Sequence, residues 1–249
     1  MRAINAYWWA DKPNFGDALT PLLLQSFGFE VIRTEPESAD VCVIGSVLQR
    51  LESFRGAVIG SGFISDGEPF ALPSARLLAL RGPLSAARAG LTPNAYGDAG
   101  LLAPRLFSSP SPRAQMRIGV IPHYVDENSP VLAVIAERHT GAVRIIDVKQ
   151  PALEVIKQIC ECETILSSSL HGLVVAEAFG RRTCWLQLSD RVIGEGFKFR
   201  DHYAALGVTA APRTINGAET IDQLDDLATL KSFDLAHMQR ALEDCFYAL

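Results

Sequence analysis

No cationic excess, no membrane-length apolar run and no disulfide framework is present in this chain, and each absence removes a class of function. Lys and Arg number 23 against 28 Asp and Glu, for a formal charge of -5. A general nucleic-acid binder carries a basic surplus instead, so no nucleic-acid partner is expected. No apolar stretch approaches the roughly 20 residues that span a bilayer, and the opening Met1-Arg-Ala-Ile-Asn-Ala-Tyr-Trp-Trp9 is too short and too polar for a signal peptide. A cytoplasmic location is expected. The cysteines Cys42, Cys160, Cys162, Cys184 and Cys245 are odd in number and mostly embedded in apolar segments, which points to buried thiols in a reducing compartment. Cys160-Glu-Cys162 has no second pair at ligand spacing, and His139, His202 and His237 have no such neighbours either. No metal is expected, and these histidines are read as structural.

What is present is a folded α/β chain. Its 249 residues are 48% hydrophobic and 20% charged, enough to bury one large core or two modest ones. A Ser/Pro-rich run at 108–113 is the best linker, dividing the chain into domains at 1–110 and 111–249. Beyond it, strands over 117–121, 143–148, 164–166 and 183–188 alternate with helices over 129–139, 151–160 and 171–179. That alternation predicts a parallel, doubly wound sheet whose ligand edge is the carboxyl ends of its strands. Before the linker, strands are expected over 3–9, 40–45, 56–60 and 76–80, with a short helix over 47–53. A helix following the first strand is capped by Asp17, or by Thr20 with Pro21 at its first position. A last helix is expected over 233–247.

Chemistry concentrates at the expected strand ends. Ser167, Ser168, Ser169, Leu170, His171 and Gly172 join a strand to a helix, offering hydroxyls, a glycine open to ligand approach and the unpaired N–H groups of a first helical turn. The bland alternative is an ordinary cap by Ser168 or Ser169. Asn14-Phe-Gly-Asp17 lies after the first strand, and Trp8 and Trp9 before it suit stacking on a sugar ring. Gly60-Ser61-Gly62 resembles a phosphate-approach loop without the third glycine of a dinucleotide fingerprint. Arg81 ends a strand beside a helix start that gives a cation no dipole reason to be there, so it calls for an anionic ligand or a surface salt bridge. Lys198 and Arg200 alternate with Phe197 and Phe199 in a glycine-flexed loop and share one face if that loop is extended.

Taken in order, Asn14-Phe-Gly-Asp17, Gly60-Ser-Gly62, Arg81-Gly82, Ile121-Pro-His-Tyr124, Ser167-Ser-Ser-Leu-His-Gly172 and Lys198-Phe-Arg-Asp201 resemble the polysaccharide pyruvyltransferase family, over residues 5 to 206. The ketal-forming enzymes of bacterial exopolysaccharide assembly, of the succinoglycan and xanthan kind, are the nearest in look. The resemblance implies two Rossmann-like domains arranged as in GT-B glycosyltransferases, the first on the acceptor side and the second on the donor side, with the C-terminal helix packing back on the first. It implies transfer of pyruvate from phosphoenolpyruvate, a donor substrate with no separate cofactor, to sugar hydroxyls of a lipid-linked oligosaccharide or glycan. Such an acceptor places the protein peripherally at the inner face of the cytoplasmic membrane; oligomeric state is left open. His171 and Arg81 match the family's donor-binding positions. The catalytic set expected on this basis is His171 with Asp17 and His123. Arg81, Lys198, Arg200, Ser167, Ser168, Ser169, Leu170, Gly172, Asn14 and Gly62 bind substrate. Many relatives carry arginine where this chain has Ser169, so donor charge has to come from Arg81, Lys198 and Arg200. A nucleotide-sugar glycosyltransferase and a non-catalytic glycan-binding module on the same scaffold are the competing readings.

Overall fold

The computed structural model describes residues 2–107 and 114–249, so the linker expected at 108–113 lies outside the described residues. Strand β1 (Arg2–Tyr7) leads into helix α1 (Phe15–Ser26), followed by β2 (Phe29–Arg33), β3 (Val41–Cys42), β4 (Ala57–Ser61), β5 (Arg76–Leu80), α2 (Pro83–Ala89) and β6 (Ala95–Tyr96). These strands form a six-stranded sheet in the order β2-β1-β3-β4-β5-β6, and every pairing is parallel. A 3-10 segment, Ala99–Leu106, leaves that sheet. Then come β7 (Met116–Ile121), α3 (Pro130–Arg138), β8 (Val143–Ile145), α4 (Ala152–Cys160), β9 (Cys162–Ser167), α5 (Leu170–Ala178) and β10 (Arg182–Trp185). They build a four-stranded parallel sheet in the order β10-β9-β7-β8. The chain finishes with α6 (Phe197–Ala205), α7 (Ile221–Asp226) and α8 (Leu235–Tyr247), and α8 packs against β4, β5 and β6 of the first sheet.

The α/β fold class with two parallel sheets agrees with the sequence pattern; several local expectations do not. Helix α1 starts earlier than expected: Asn14, and neither Asp17 nor Thr20, is the N-cap, its Oδ1 accepting the Gly16 N–H at 3.1 Å, and Pro21 lies inside the helix. The short helix expected over 47–53 is only a 3-10 turn, Leu48–Arg50. Residues 197–205 form a helix instead of an extended loop. The reason is the preceding Gly194 and Gly196 at φ +92° and +76°, which turn the chain sharply and start α6 at Phe197.

A single large apolar cluster runs across both sheets. Ile4, Phe15, Leu19 and Leu23 from the first half meet Ile146, Val155, Ile156 and Leu173 from the second. The backbone crosses too: Phe15 N–H donates to the Val148 carbonyl at 2.8 Å. Shared burial of this kind holds the carboxyl ends of the two sheets in one relation. All five cysteines are buried. Among the described residues, no helix is long and apolar enough to cross a membrane.

Candidate active site

In an open parallel sheet, ligand crevices form where strand order reverses, because the connections on either side depart to opposite faces. The first sheet reverses between β1 and β3, and the second between β7 and β9. Both reversal points face one cleft of about 180 Å³, lined by Trp9, Asn14 and Asp17 after β1, Ser46 and Arg50 after β3, His123 and Tyr124 after β7, Ser169, Leu170 and His171 after β9, and Lys198 from α6. Helices α1 and α5 both begin at this cleft, with Asn14 and Ser169 as N-caps. The positive ends of two helix dipoles therefore converge on one volume, favouring an anion there, although α1 spends its Phe15 and Gly16 N–H groups on Val148 and Asn14.

His171 is 6% exposed, and its Nε2 has no hydrogen-bond partner, lying 3.7 Å from Asp98 Oδ2. Its ring packs against Gly16, where a Cβ would sit 2.0 Å from Nδ1. The glycine of Asn14-Phe-Gly-Asp17 thus exists to let α1 approach the histidine of the second sheet. Asp98 is fully buried and caps the 3-10 segment by accepting the Gly100 N–H at 2.8 Å. Burial alone would raise its carboxyl, but the nearby charge of His171 and the hydrogen bond from the Gly100 N–H hold it below the usual range. Sequence reading missed Asp98, since only the fold brings it to His171; it also missed Ser46 and Arg50, which no motif marks.

Three further groups have shifted ionisation. Asp17 is raised to about 6 by burial, with His171 and Lys198 acting against that and Asp98 reinforcing it. Lys198 is lowered to about 8 by burial and by the Arg81 charge, opposed by Asp17. His123 is lowered to about 3 by burial and Lys198, so at neutral pH it is uncharged. Its Nδ1 accepts the Val125 N–H at 3.4 Å, which leaves Nε2 to carry the proton. Trp9 stacks on Tyr124 at 6.4 Å and 27°, forming an aromatic wall. Trp8, in contrast, lies under Arg33 outside the cleft.

Several expected binding residues stand elsewhere. Arg81 is 0% exposed: Nε pairs with Asp201 at 3.0 Å, Nη1 donates to Ser46 Oγ at 2.8 Å and Nη2 to the Phe63 carbonyl at 2.5 Å. It is a buried strut behind Ser46, an ion pair in the interior and not the surface salt bridge of the alternative expectation. Gly62 makes room for that guanidinium, since a Cβ would lie 2.4 Å from Cζ. Gly172 likewise yields space to Ser167 Oγ and Ile121. Ser167 Oγ is consumed by backbone, accepting the Ser169 N–H at 3.0 Å and lying 2.9 Å from the Ile121 carbonyl. Ser168 Oγ accepts the His123 N–H at 2.9 Å and donates to Asp126 at 3.2 Å, leaving Ser169 as the one member of the serine run lining the cleft. Arg200 does not share a face with Lys198, because in a helix residues two apart point to different sides. It is exposed, and its Nη1 donates to the Glu195 carbonyl at 2.6 Å.

Residues 71–190 match the family model described as polysaccharide pyruvyl transferase, a span that contains β5 to β10 and hence His123 and His171. That match covers just under half of the chain and makes it similar to the polysaccharide pyruvyl transferase family. It is 29% identical over 224 residues to the succinoglycan biosynthesis protein ExoV of Rhizobium meliloti (strain 1021), covering 84% of this chain and 66% of that protein. It is 28% identical over 115 residues to an uncharacterized protein, L143, of Acanthamoeba polyphaga mimivirus, covering 45% of this chain and 40% of that one. The chain therefore spans under two thirds of the length of these relatives. The aromatic wall of Trp9 and Tyr124 stands beside the anion-favouring helix ends.

Proposed function

We propose that the cleft transfers the pyruvyl group of phosphoenolpyruvate onto two hydroxyls of a glycan acceptor, forming a ketal. The observation that carries this reading is the convergence of two helix N-termini, Lys198 and His171 on one volume beside a carboxylate whose ionisation is raised to about 6. Phosphoenolpyruvate brings a phosphate and a carboxylate, and the cleft offers Lys198, Arg50 and the first turn of α5 to hold them. Lys198 and Arg50 take over the donor charge that position 169 does not supply.

The reaction needs a proton on the donor's methylene carbon while a sugar oxygen bonds to the adjacent carbon. Phosphate departs, and the second hydroxyl adds to close the ring. Asp17, ionised above about pH 6, takes a hydroxyl proton as general base. His171, with Asp98 behind it, delivers the proton or stabilises the leaving phosphate. Neutral His123 donates from Nε2 to an acceptor oxygen. Acceptor binding at the Trp9–Tyr124 wall follows from the stacking of apolar sugar faces on aromatic rings. A cytoplasmic, membrane-peripheral site of action is part of the same reading, because a lipid-linked acceptor is presented there.

The test is release of inorganic phosphate from phosphoenolpyruvate with a panel of β-glucosides and β-galactosides, alongside calorimetry with phosphoenolpyruvate alone. Acceptor-dependent phosphate release is expected, lost by about 100-fold or more in His171→Ala. Absence of donor binding together with absence of turnover would sink the proposal. Tighter binding of a UDP- or GDP-sugar than of phosphoenolpyruvate would favour the glycosyltransferase reading.

A further inference from the structure

A second and larger cavity, of about 490 Å³, adjoins the cleft at the carboxyl ends of β9 and β10. The two share Ile193, which is 66% exposed, and consecutive serines, Ser168 facing one and Ser169 the other. The partition between them is segment 189–196, and it is built to stay in place. Gly194, Glu195 and Gly196 all have left-handed φ, and Glu195 is the one non-glycine with positive φ among the described residues. Such a conformation costs roughly 1 kcal/mol or more and persists where surrounding contacts enforce it. Here they do: a Cβ on Gly194 would lie 2.0 Å from the Ile64 carbonyl, and one on Gly196 would lie 2.6 Å from the Trp185 ring. At its other end, buried Asp126 accepts from the Ser189 hydroxyl and lies 3.4 Å from Arg191.

We infer that this second cavity is a subsite for the glycan acceptor beyond its reacting sugar, so that an oligosaccharide crosses the Ile193 ridge with one residue in the cleft and its neighbours in the cavity. The inference rests on the glycan-acceptor reading of the cleft. The chemistry of the walls selects the occupant. Ile193, Ala211 and Pro212 give apolar surface while Gln187, Asp190 and Arg200 give alternating donors and acceptors, the pattern that suits sugar rings with apolar faces and hydroxyl edges. A nucleoside diphosphate is disfavoured. Asp190 and Glu195 balance Arg191 and Arg200 around the cavity, and the opening N–H groups of α6 are taken, with Phe197 bonded to the Gly194 carbonyl and Phe199 and Arg200 to that of Gly196.

The test is calorimetry of the whole chain with β-gluco- and β-galacto-oligosaccharides from the disaccharide to the tetrasaccharide, repeated on Ala211→Trp. Ala211 is exposed, so the indole fills the cavity without disturbing the core; Gln187→Ala, also exposed, is the milder second variant. Affinity is expected to rise with chain length in the wild type, and Ala211→Trp to lower tetrasaccharide affinity about tenfold while leaving phosphoenolpyruvate affinity within about twofold. Oligosaccharide binding without length dependence, no oligosaccharide binding, or an unchanged tetrasaccharide affinity in both variants would overturn the inference. So would UDP-glucose binding that Ala211→Trp abolishes. If oligosaccharides bind as expected while phosphoenolpyruvate does not bind, the subsite stands and the transferase reading falls.

Discussion

Charge at the cleft is set by a few groups that burial and neighbours push toward neutrality. Asp17, raised to about 6, and Lys198, lowered to about 8, approach each other's range, as groups at functional sites commonly do. Between those values the site holds an ionised carboxylate and a charged amine together. We expect kcat/KM to rise with pH through about 6 as Asp17 loses its proton and to fall through about 8 as Lys198 loses its charge. A pH–rate profile flat from pH 5 to 9 would contradict the assignment of base and anchor. Lys198 also bears on stability. Its folded-state value lies below the ordinary 10.5, so the charged amine penalises the folded state fully below about pH 8, and the penalty is relieved as pH rises toward 10.5. Lys198→Met is therefore expected to stabilise the protein at pH 7 by about 1 to 3 kcal/mol in urea unfolding while abolishing phosphoenolpyruvate binding. A destabilised variant would mean that Lys198 serves the fold and not the ligand.

Among the elements, the two helices that open on the cleft carry the argument. Helix α1 belongs to the first sheet and α5 to the second, and Gly16 lets them touch through the His171 ring. Gly16→Ala forces that ring or the helix to move, because its Cβ would fall 2.0 Å from Nδ1. Overpacking of this kind typically costs about 1 to 3 kcal/mol. The expected result is a loss of roughly that size on unfolding together with a fall in kcat of about tenfold or more, since a misplaced acid loses its alignment. Normal turnover in Gly16→Ala would show that His171 does not need its position. The start of α1 also shows where local signals mislead: Asp17 and Thr20 are good capping types, yet Asn14 caps. Asp17 then falls in the first turn and faces the cleft.

For the molecule as a whole, one buried ion pair ties the first sheet to the late helices. Arg81 follows β5 and Asp201 lies in α6, 120 residues later, and both side chains are 0% exposed. Removing one member leaves the other charged and buried, at a cost of about 3 to 5 kcal/mol. Arg81→Met should thus lose stability on that scale in urea, with Asp201 still held by Ser85 at 2.6 Å, and Arg81→Met/Asp201→Asn should recover much of it. Weak phosphoenolpyruvate binding at unchanged stability would return Arg81 to the donor site. The βα alternation, the parallel class and the position of Ser169-Leu170-His171 at a strand end were legible from the chain alone, because apolar periodicity and capping chemistry act over a few residues. Which basic and acidic groups share the cleft was not. Arg81 and Lys198 look alike in sequence, as exposed-type cations beside glycines, but one is neutralised by a carboxylate far along the chain and the other is turned into the cleft by an unanticipated helix. Asp98 meets His171 and the second cavity forms beside the cleft only when the two sheets pack through a shared core, since long-range burial, unlike local pattern, is a property of the assembled chain.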